Sequence, residues 1–447
     1  MRRRAVPALA ALAALGACQT YAPAPVRLDA FPAALAARGL DEKPAGAVWT
    51  GADLLAAAIA RNPDIAQARA RYRAAEAAAR TARVRPAATL TLTAEYAQES
   101  SPWLYGAAAD LPVDAGARRA GRLTAADLAA LQARYDYVQS VWTVRMALTK
   151  ARIGLRAADE ALRLTRDLVE LRDQRAGRLN ERVVAGEDAR PTALVAATEL
   201  AVARHRQTDA LARAAQAEAA LAAALGVSPA AVAGLRLAPV EAGPDLPVTA
   251  SQRAEAAGAR ADVLRALADY DAAEAALRVE VARQYPEVRL GPGYSWDHGL
   301  AKLPFNLGLT LPPADLNRAA IAEAEARRAE AGRGLEAAQA QVLAAIDQAA
   351  AALAAARLQD EIARTRDLPA ADRAARAAAL SLKAGAADRT DDLAARAALD
   401  EAALTVAEAR MTLALAALDL EDALRRPADP AQAELMRAAV AQLETAK

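Results

Sequence analysis

"RPAATLTLTAEY" (Arg85 to Tyr96) and "YPEVRLGPGYSW" (Tyr285 to Trp296) lie 200 residues apart in a chain of 447. In the first, Leu90, Leu92, Ala94 and Tyr96 fall on one face of an extended chain, and Thr89, Thr91, Thr93 and Glu95 on the other. Thr and Tyr suit strands, whereas most of the sequence is Ala-rich and suits helices. A second strand-like segment follows each stretch across the loops "QESSP" and "DHGLAK". The expected strands are about 88–98, 103–113, 286–296 and 304–312. Six of the fifteen aromatics (Tyr96, Trp103, Tyr105, Tyr294, Trp296 and Phe305) fall in these segments. Amphipathic rings grouped on short alternating strands are the pattern of an interfacial aromatic girdle. A soluble hairpin with an aromatic core is the plainer alternative.

The same spacing recurs along the chain. "YRAAEAA" at Tyr72 and "YDAAEAA" at Tyr270 are 198 apart, "LPVDAGAR" at Leu111 and "LPPADLNR" at Leu311 are 200 apart, and "ALG" ending at Gly226 precedes "ALR" ending at Arg425 by 199. The turns "RVVAGEDARP" and "SLKAGAADRT" place Gly186 and Gly385 at an interval of 199. Matches in one order at a near-constant offset mean a duplicated unit. Each copy reads helix, strand, strand, long helix, glycine turn, long helix. The boundaries fall at 1–17 for a signal peptide, 18–50 for a linker, 51–240 and 251–426 for the two copies, and 427–447 for a tail.

In each copy the leading helix (about 51–83 and 251–284) is expected to end before a proline. Val141, Leu148, Leu155, Leu162, Val169, Ala176 and Val183 repeat every seven residues, an apolar seam for coiled-coil packing. A helix over about 117–184 would be roughly 100 Å long and carries too much charge for lipid. In the second copy Pro369 is expected to kink or break the corresponding helix.

The composition, 55% hydrophobic but 3% aromatic, points to Ala- and Leu-rich helices. A net charge of +1 argues against a nucleic-acid binder. Two histidines (His205 and His298) and one cysteine give no metal-ligand spacing and no nucleophilic triad, so neither catalysis nor a cofactor is expected. "GPGYS" lacks the Lys-Ser/Thr of a phosphate loop. Arg2 to Arg4 and the short apolar run to Leu15 read as a signal peptide ending in "LGAC", which resembles a bacterial lipobox with Cys18 as the acylated residue. Gln19 rather than aspartate follows it, pointing to the outer membrane.

Strands facing lipid must pair every backbone donor and acceptor, so they must close into a barrel. Four strands cannot close; two copies would give eight and three would give twelve, and a conduit favours three. The lipobox, the doubled unit and the glycine turns together resemble the outer membrane efflux proteins, the TolC family, over about residues 51–426. "YPEVRLGPGYSWDHG" with "AAIAEAEARRAEA" looks like members that serve heavy-metal and related pumps. The resemblance implies a mainly α fold: a homotrimeric twelve-strand membrane β-barrel continued by a long α-helical periplasmic tunnel. It implies a passive exit duct docked to a periplasmic adaptor and an inner-membrane resistance–nodulation–division pump. Gly186, Glu187, Asp188, Gly385 and Asp388 would be the adaptor-docking tips, with Asp188 and Asp388 capping the returning helices. Asp391, with its neighbour Asp392, would ring the aperture. The two tips differ, since the first carries Glu187 and Arg190 with Pro191, and "LPPADLNR" lacks an aromatic common after that strand in the family. A coiled-coil lipoprotein serving as spacer or adaptor is the rival reading.

Overall fold

The structure, a computed structural model, describes residues 21–44, 46–98, 100, 102–113, 116–240, 248–297 and 299–445. The signal region with Cys18, and His298, lie outside these. The chain is mainly helical, in the order α1 (Ala30–Ala37), β1 (Val48–Trp49), α2 (Gly51–Arg61), α3 (Pro63–Arg83), β2 (Thr89–Tyr96), β3 (Trp103–Pro112), α4 (Gly116–Val184), α5 (Arg190–Leu225), α6 (Pro229–Val232) and β4 (Arg236–Leu237). There follow α7 (Ala250–Ala259), α8 (Ala261–Ala282), β5 (Glu287–Asp297), β6 (Leu300–Lys302), β7 (Phe305–Thr310), α9 (Arg318–Ile362), a π-helical turn (Ala363–Asp367), α10 (Leu368–Lys383), α11 (Arg389–Leu424) and α12 (Pro430–Thr445).

The leading helix of each copy is broken where one continuous helix was expected. In the first, Asn62 leaves the helical conformation and Pro63 starts α3 without needing a hydrogen bond for its nitrogen. The Asn62 side chain accepts from the backbone N–H groups of Asp64 (2.8 Å) and Ile65 (3.2 Å). Its amide donates to the carbonyl of Ala224 at 2.8 Å, tying the break to the end of α5. In the second copy Arg260 occupies the break and its guanidinium donates to the carbonyl of Ala423 at the end of α11. One latch is thus built with two chemistries. Upstream, Thr50 with Asp53 and Thr249 with Gln252 form capping boxes that start α2 and α7.

The main core surrounds these breaks. Leu54, Leu55, Ile65, Tyr137, Val141, Leu221 and Leu225 are buried together, joined by Trp49 from the short parallel pair β1–β4 and by Leu443 from α12. Residues 30–49 and 430–445, expected as linker and tail, therefore hold secondary structure that meets this belt. Val263, Val342, Ile346, Leu353 and Leu420 form the corresponding cluster in the second copy. Along α4 the heptad seam is buried at Val141 and Leu148, but farther on the buried positions become Leu164, Leu168 and Leu179. A straight helix drifts by about 20° per heptad, which moves the contact line off a strict seven-residue seam. There Leu164 and Leu168 meet Ala203, Ala397 and Leu404, so the two copies share a core.

Pro369 does not end its helix. Lacking an N–H, it leaves the preceding turn short of a donor. The chain widens to the π turn over Ala363–Asp367, where Leu368 N–H reaches the carbonyl of Ala363, and α10 continues. The strand expected at 304–312 is present as β7, and the short β6 precedes it within the stretch expected to be a loop. Pro304 separates β6 from β7, while its carbonyl accepts from Gly293 N–H at 2.8 Å.

Gly226 closes α5 at φ 71°, and a Cβ there would sit 2.7 Å from the carbonyl oxygen of Arg61. Gly186 has φ 78° but open space around it. Gly186→Ala should cost about 1–2 kcal/mol for the left-handed conformation alone. Gly226→Ala should cost more, because it forces α2 and α5 apart. A smaller loss in melting temperature for Gly226→Ala than for Gly186→Ala would contradict this account of the latch.

Candidate functional site: a two-faced sheet and two glycine turns

β2, β3, β5 and the β6–β7 strand form one antiparallel sheet. Tyr96 lies opposite Trp103, Tyr105 opposite Trp296, Ala107 opposite Tyr294, and Pro292 opposite Phe305. Directly opposed residues share a face, and so do residues two apart in a strand. All six aromatics of the expected girdle therefore stand on one side of the sheet. Leu90, Leu92, Leu290, Leu307 and Leu309 stand with them. The other side carries Thr89, Thr91, Thr93, Glu95, Asp110, Arg289, Ser295, Asn306 and Thr310. Asp110 and Arg289 form an ion pair of 2.8 Å across that side.

Exposure runs opposite to that of a soluble sheet. Leu92 is 74% exposed and Phe305 66%, and all six aromatics are exposed. Along β5 the aromatic-side residues Pro292, Tyr294 and Trp296 are exposed, while Gly291, Gly293, Ser295 and Asp297 between them are half-buried. In β3 and β5 the polar side is the crowded one, whereas β2 and β7 are exposed on both sides. A Cβ on Gly291 would lie 3.0 Å from Asn306 Cβ, and one on Gly293 3.1 Å from Pro304 Cγ. Gly106 and Gly308 belong to the same side, so small residues line the crowded face. Tyr96 meets Trp103 edge-on at 5.1 Å, and Trp103 stacks on Tyr105 at 5.7 Å.

At the far ends of α4 and α10 the two glycine turns are superimposable in their bonding. Gly186 N–H donates to Val183 and Glu187 N–H to Arg182; Gly385 N–H donates to Leu382 and Ala386 N–H to Ser381. Both are Schellman caps, with glycine at positive φ. The side chains then diverge. Asp388 caps α11 as expected, accepting from Thr390 N–H at 3.3 Å, while Asp391 returns a bond to the Asp388 N–H. Asp188 does not cap α5, whose N-cap is Ala189 with no side-chain bond. Arg182 takes Asp188 instead, at 2.9 Å, and also pairs with Asp388. One arginine near the end of α4 thus ties both turns together, a role invisible in sequence because it depends on which helices are neighbours. Glu187 is exposed at 3.6 Å from Arg182. Of the two aspartates expected at an aperture, Asp391 is exposed, whereas Asp392 is buried and paired with Arg396 at 3.0 Å.

Among the described residues no group of histidine, cysteine and carboxylate side chains is arranged to hold a metal ion. No helix there is long and apolar enough to cross a membrane. His205 lies exposed on α5, 3.7 Å from Asp209 and remote from the sheet.

The sequence model described as outer membrane efflux protein matches residues 54–227, that is, most of the first copy. No curated protein sequence matches the chain. Among solved structures, the outer membrane protein VceC of Vibrio cholerae is 19% identical, covering 84% of this chain and 96% of its own, with a TM-score of 0.68. The MtrE outer membrane channel of Neisseria gonorrhoeae, in its open state, is 19% identical over 84% of this chain and 89% of its own, with a TM-score of 0.68. The CmeC outer membrane channel of Campylobacter jejuni is 14% identical over 95% of this chain and 97% of its own, with a TM-score of 0.70. Those identities speak to the fold, which both copies share with these channels. The first copy thus matches the outer membrane efflux protein family, and the chain as a whole has the fold of these channels.

Proposed function

We propose that three copies of this chain close a twelve-strand barrel in the outer membrane, and that the long helices continue it as a tunnel into the periplasm. The assembly is a passive exit duct for toxic compounds or metal ions. It works with a periplasmic adaptor and an inner-membrane pump of the resistance–nodulation–division type. The observation that carries this reading is the inverted sheet, whose exposed side is apolar and aromatic and whose crowded side is polar. Lipid outside and water inside would match both sides. Among the described residues the outer edges of β2 and β7 have no strand beside them, and joining β7 of one copy to β2 of the next removes every edge at once. A spacer or adaptor would need neither feature. Acylation at Cys18 would add an anchor at about 0.8 kcal/mol per buried methylene.

The turns at Gly186 and Gly385 are assigned to the periplasmic end and to the adaptor. Asp391 is assigned to the aperture in preference to Asp392, because an exposed carboxylate repeated about an axis makes a cation-attracting ring. Arg182 holds the two turns in one arrangement.

In an uncharged detergent the protein should purify as a trimer that resists unheated gel electrophoresis, shows β circular dichroism and conducts in a planar bilayer. A water-soluble monomer without β signal would sink the proposal. Leu92→Lys on the aromatic side should cost roughly 2–4 kcal/mol of membrane stability if it sits near mid-bilayer. Thr91→Lys on the polar side should leave assembly intact and shift ion selectivity, and the reverse pattern would invert the assigned faces. Gly385→Glu should leave the trimer intact yet abolish resistance in cells, which an undiminished export phenotype would refute. Asp388→Ala should loosen the first turn of α11 by about 1 kcal/mol, read by hydrogen exchange at Thr390 and Asp391. Asp188→Ala should leave the first turn of α5 unchanged.

A further inference from the structure

Away from the sheet and the turns, a cavity of about 560 Å³ opens where α4, α9 and α11 meet the chain entering α12. Arg145 and Arg152 reach it from α4, Arg357 from α9, Arg426 from the approach to α12, and Gln432 from the first turn of α12. Much of the remaining wall is apolar, including Ile153, Leu353, Leu418 and Leu424. Glu421 and Asp429 are its carboxylates.

The two buried arginines differ in how they are satisfied. Arg145 donates to Gln432 Oε1 at 2.6 Å, pairs with Glu421, and lies 4.9 Å over the ring of Trp142. Arg152 is 7% exposed, yet its one bond is from Nη2 to the carbonyl of Ala238 at 3.1 Å. Its Nε is buried without a partner. Burial holds its guanidinium below the usual arginine value, and Asp429 opposes this only by attraction through space. Gly51 makes room for this head group, since a Cβ there would lie 2.6 Å from Arg152 Nη1. A buried guanidinium with an open donor and no bonded carboxylate is costly unless an anion joins it. The geometry that relieves it is a planar carboxylate accepting from the open donors of the arginine fork. Apolar walls with a few fixed polar groups are the usual make-up of a small-molecule pocket.

We propose that this cavity binds a small organic carboxylate, its oxygens on Arg152 and its apolar body against Leu353 and Leu418. The site stands on its own geometry and does not require the duct reading. The test uses the full-length protein in an uncharged detergent, with benzoate as probe and benzyl alcohol and inorganic phosphate as comparisons. Benzoate should bind saturably by calorimetry and raise the melting temperature, and benzyl alcohol should do neither. Arg152→Gln should weaken benzoate at least tenfold, as should Gly51→Ala, which displaces the same head group without removing its charge. Absence of saturable benzoate binding to the unaltered protein would overturn the site, whatever the variants do. Undiminished binding by Arg152→Gln would overturn the role of that arginine. Phosphate binding as tightly as benzoate would overturn the apolar part of the assignment.

Discussion

Along the outer sides of β2 and β7, the backbone N–H and C=O groups of Thr89–Tyr96 and Phe305–Thr310 have no strand beside them among the described residues. Peptide groups that face hydrocarbon cannot turn to water, so such an edge is tolerated only where another strand completes it. The sheet that bears these edges also turns its leucines and aromatics outward. These two facts constrain one another. A sheet with open edges in water would aggregate, and a sheet with an exposed aromatic face has no interior of its own to form. Small residues on the polar side, above all Gly291 and Gly293, let the neighbouring strand approach closely.

Much of this was legible in the residues. The alternation in "TLTLTAEY" placed Leu90, Leu92 and Tyr96 on one face, and the register extends that face across all four strands. The long helix over Gly116–Val184 and both glycine turns follow from Ala-rich periodicity broken by Ala-Gly. What could not be read depends on contacts between distant segments. The break at Asn62 falls inside what was expected as one helix over about 51–83, and it is held by the carbonyl of Ala224. Asp188 and Asp388 looked alike, but Asp188 lies one residue before the N-cap of its helix, Ala189, whereas Asp388 is itself the N-cap. Pro369 was expected to kink or break its helix because proline removes one bond, yet a helix can absorb that loss by widening a turn. Two adjacent aspartates, 391 and 392, point to opposite environments because a helix turns about 100° between neighbours.

The belt shows how duplication preserves geometry while changing chemistry. At the break of the leading helix an amide in one copy and a guanidinium in the other reach the same carbonyl position. At the end of the returning helix, Gly226 and Arg425 both adopt left-handed backbone conformations. Only the first position is closed to a side chain by the neighbouring carbonyl. In the second copy the arginine fits and stacks 5.2 Å from Trp142, which also carries Arg145 on its ring. An arginine of the second copy is thereby packed on a tryptophan of the first.

Because each polypeptide ends in two turns of identical backbone and different side chains, any closed ring of copies presents twice as many turns as subunits, in strict alternation. Around such a ring the peptide framework repeats at twice the frequency of the charges. A partner built from identical units could therefore seat uniformly on the backbone but would meet Glu187 and Asp188 at one station and Ala386 and Ala387 at the next. Matching both stations calls either for contacts that ignore side chains or for neighbouring partner units held in two conformations.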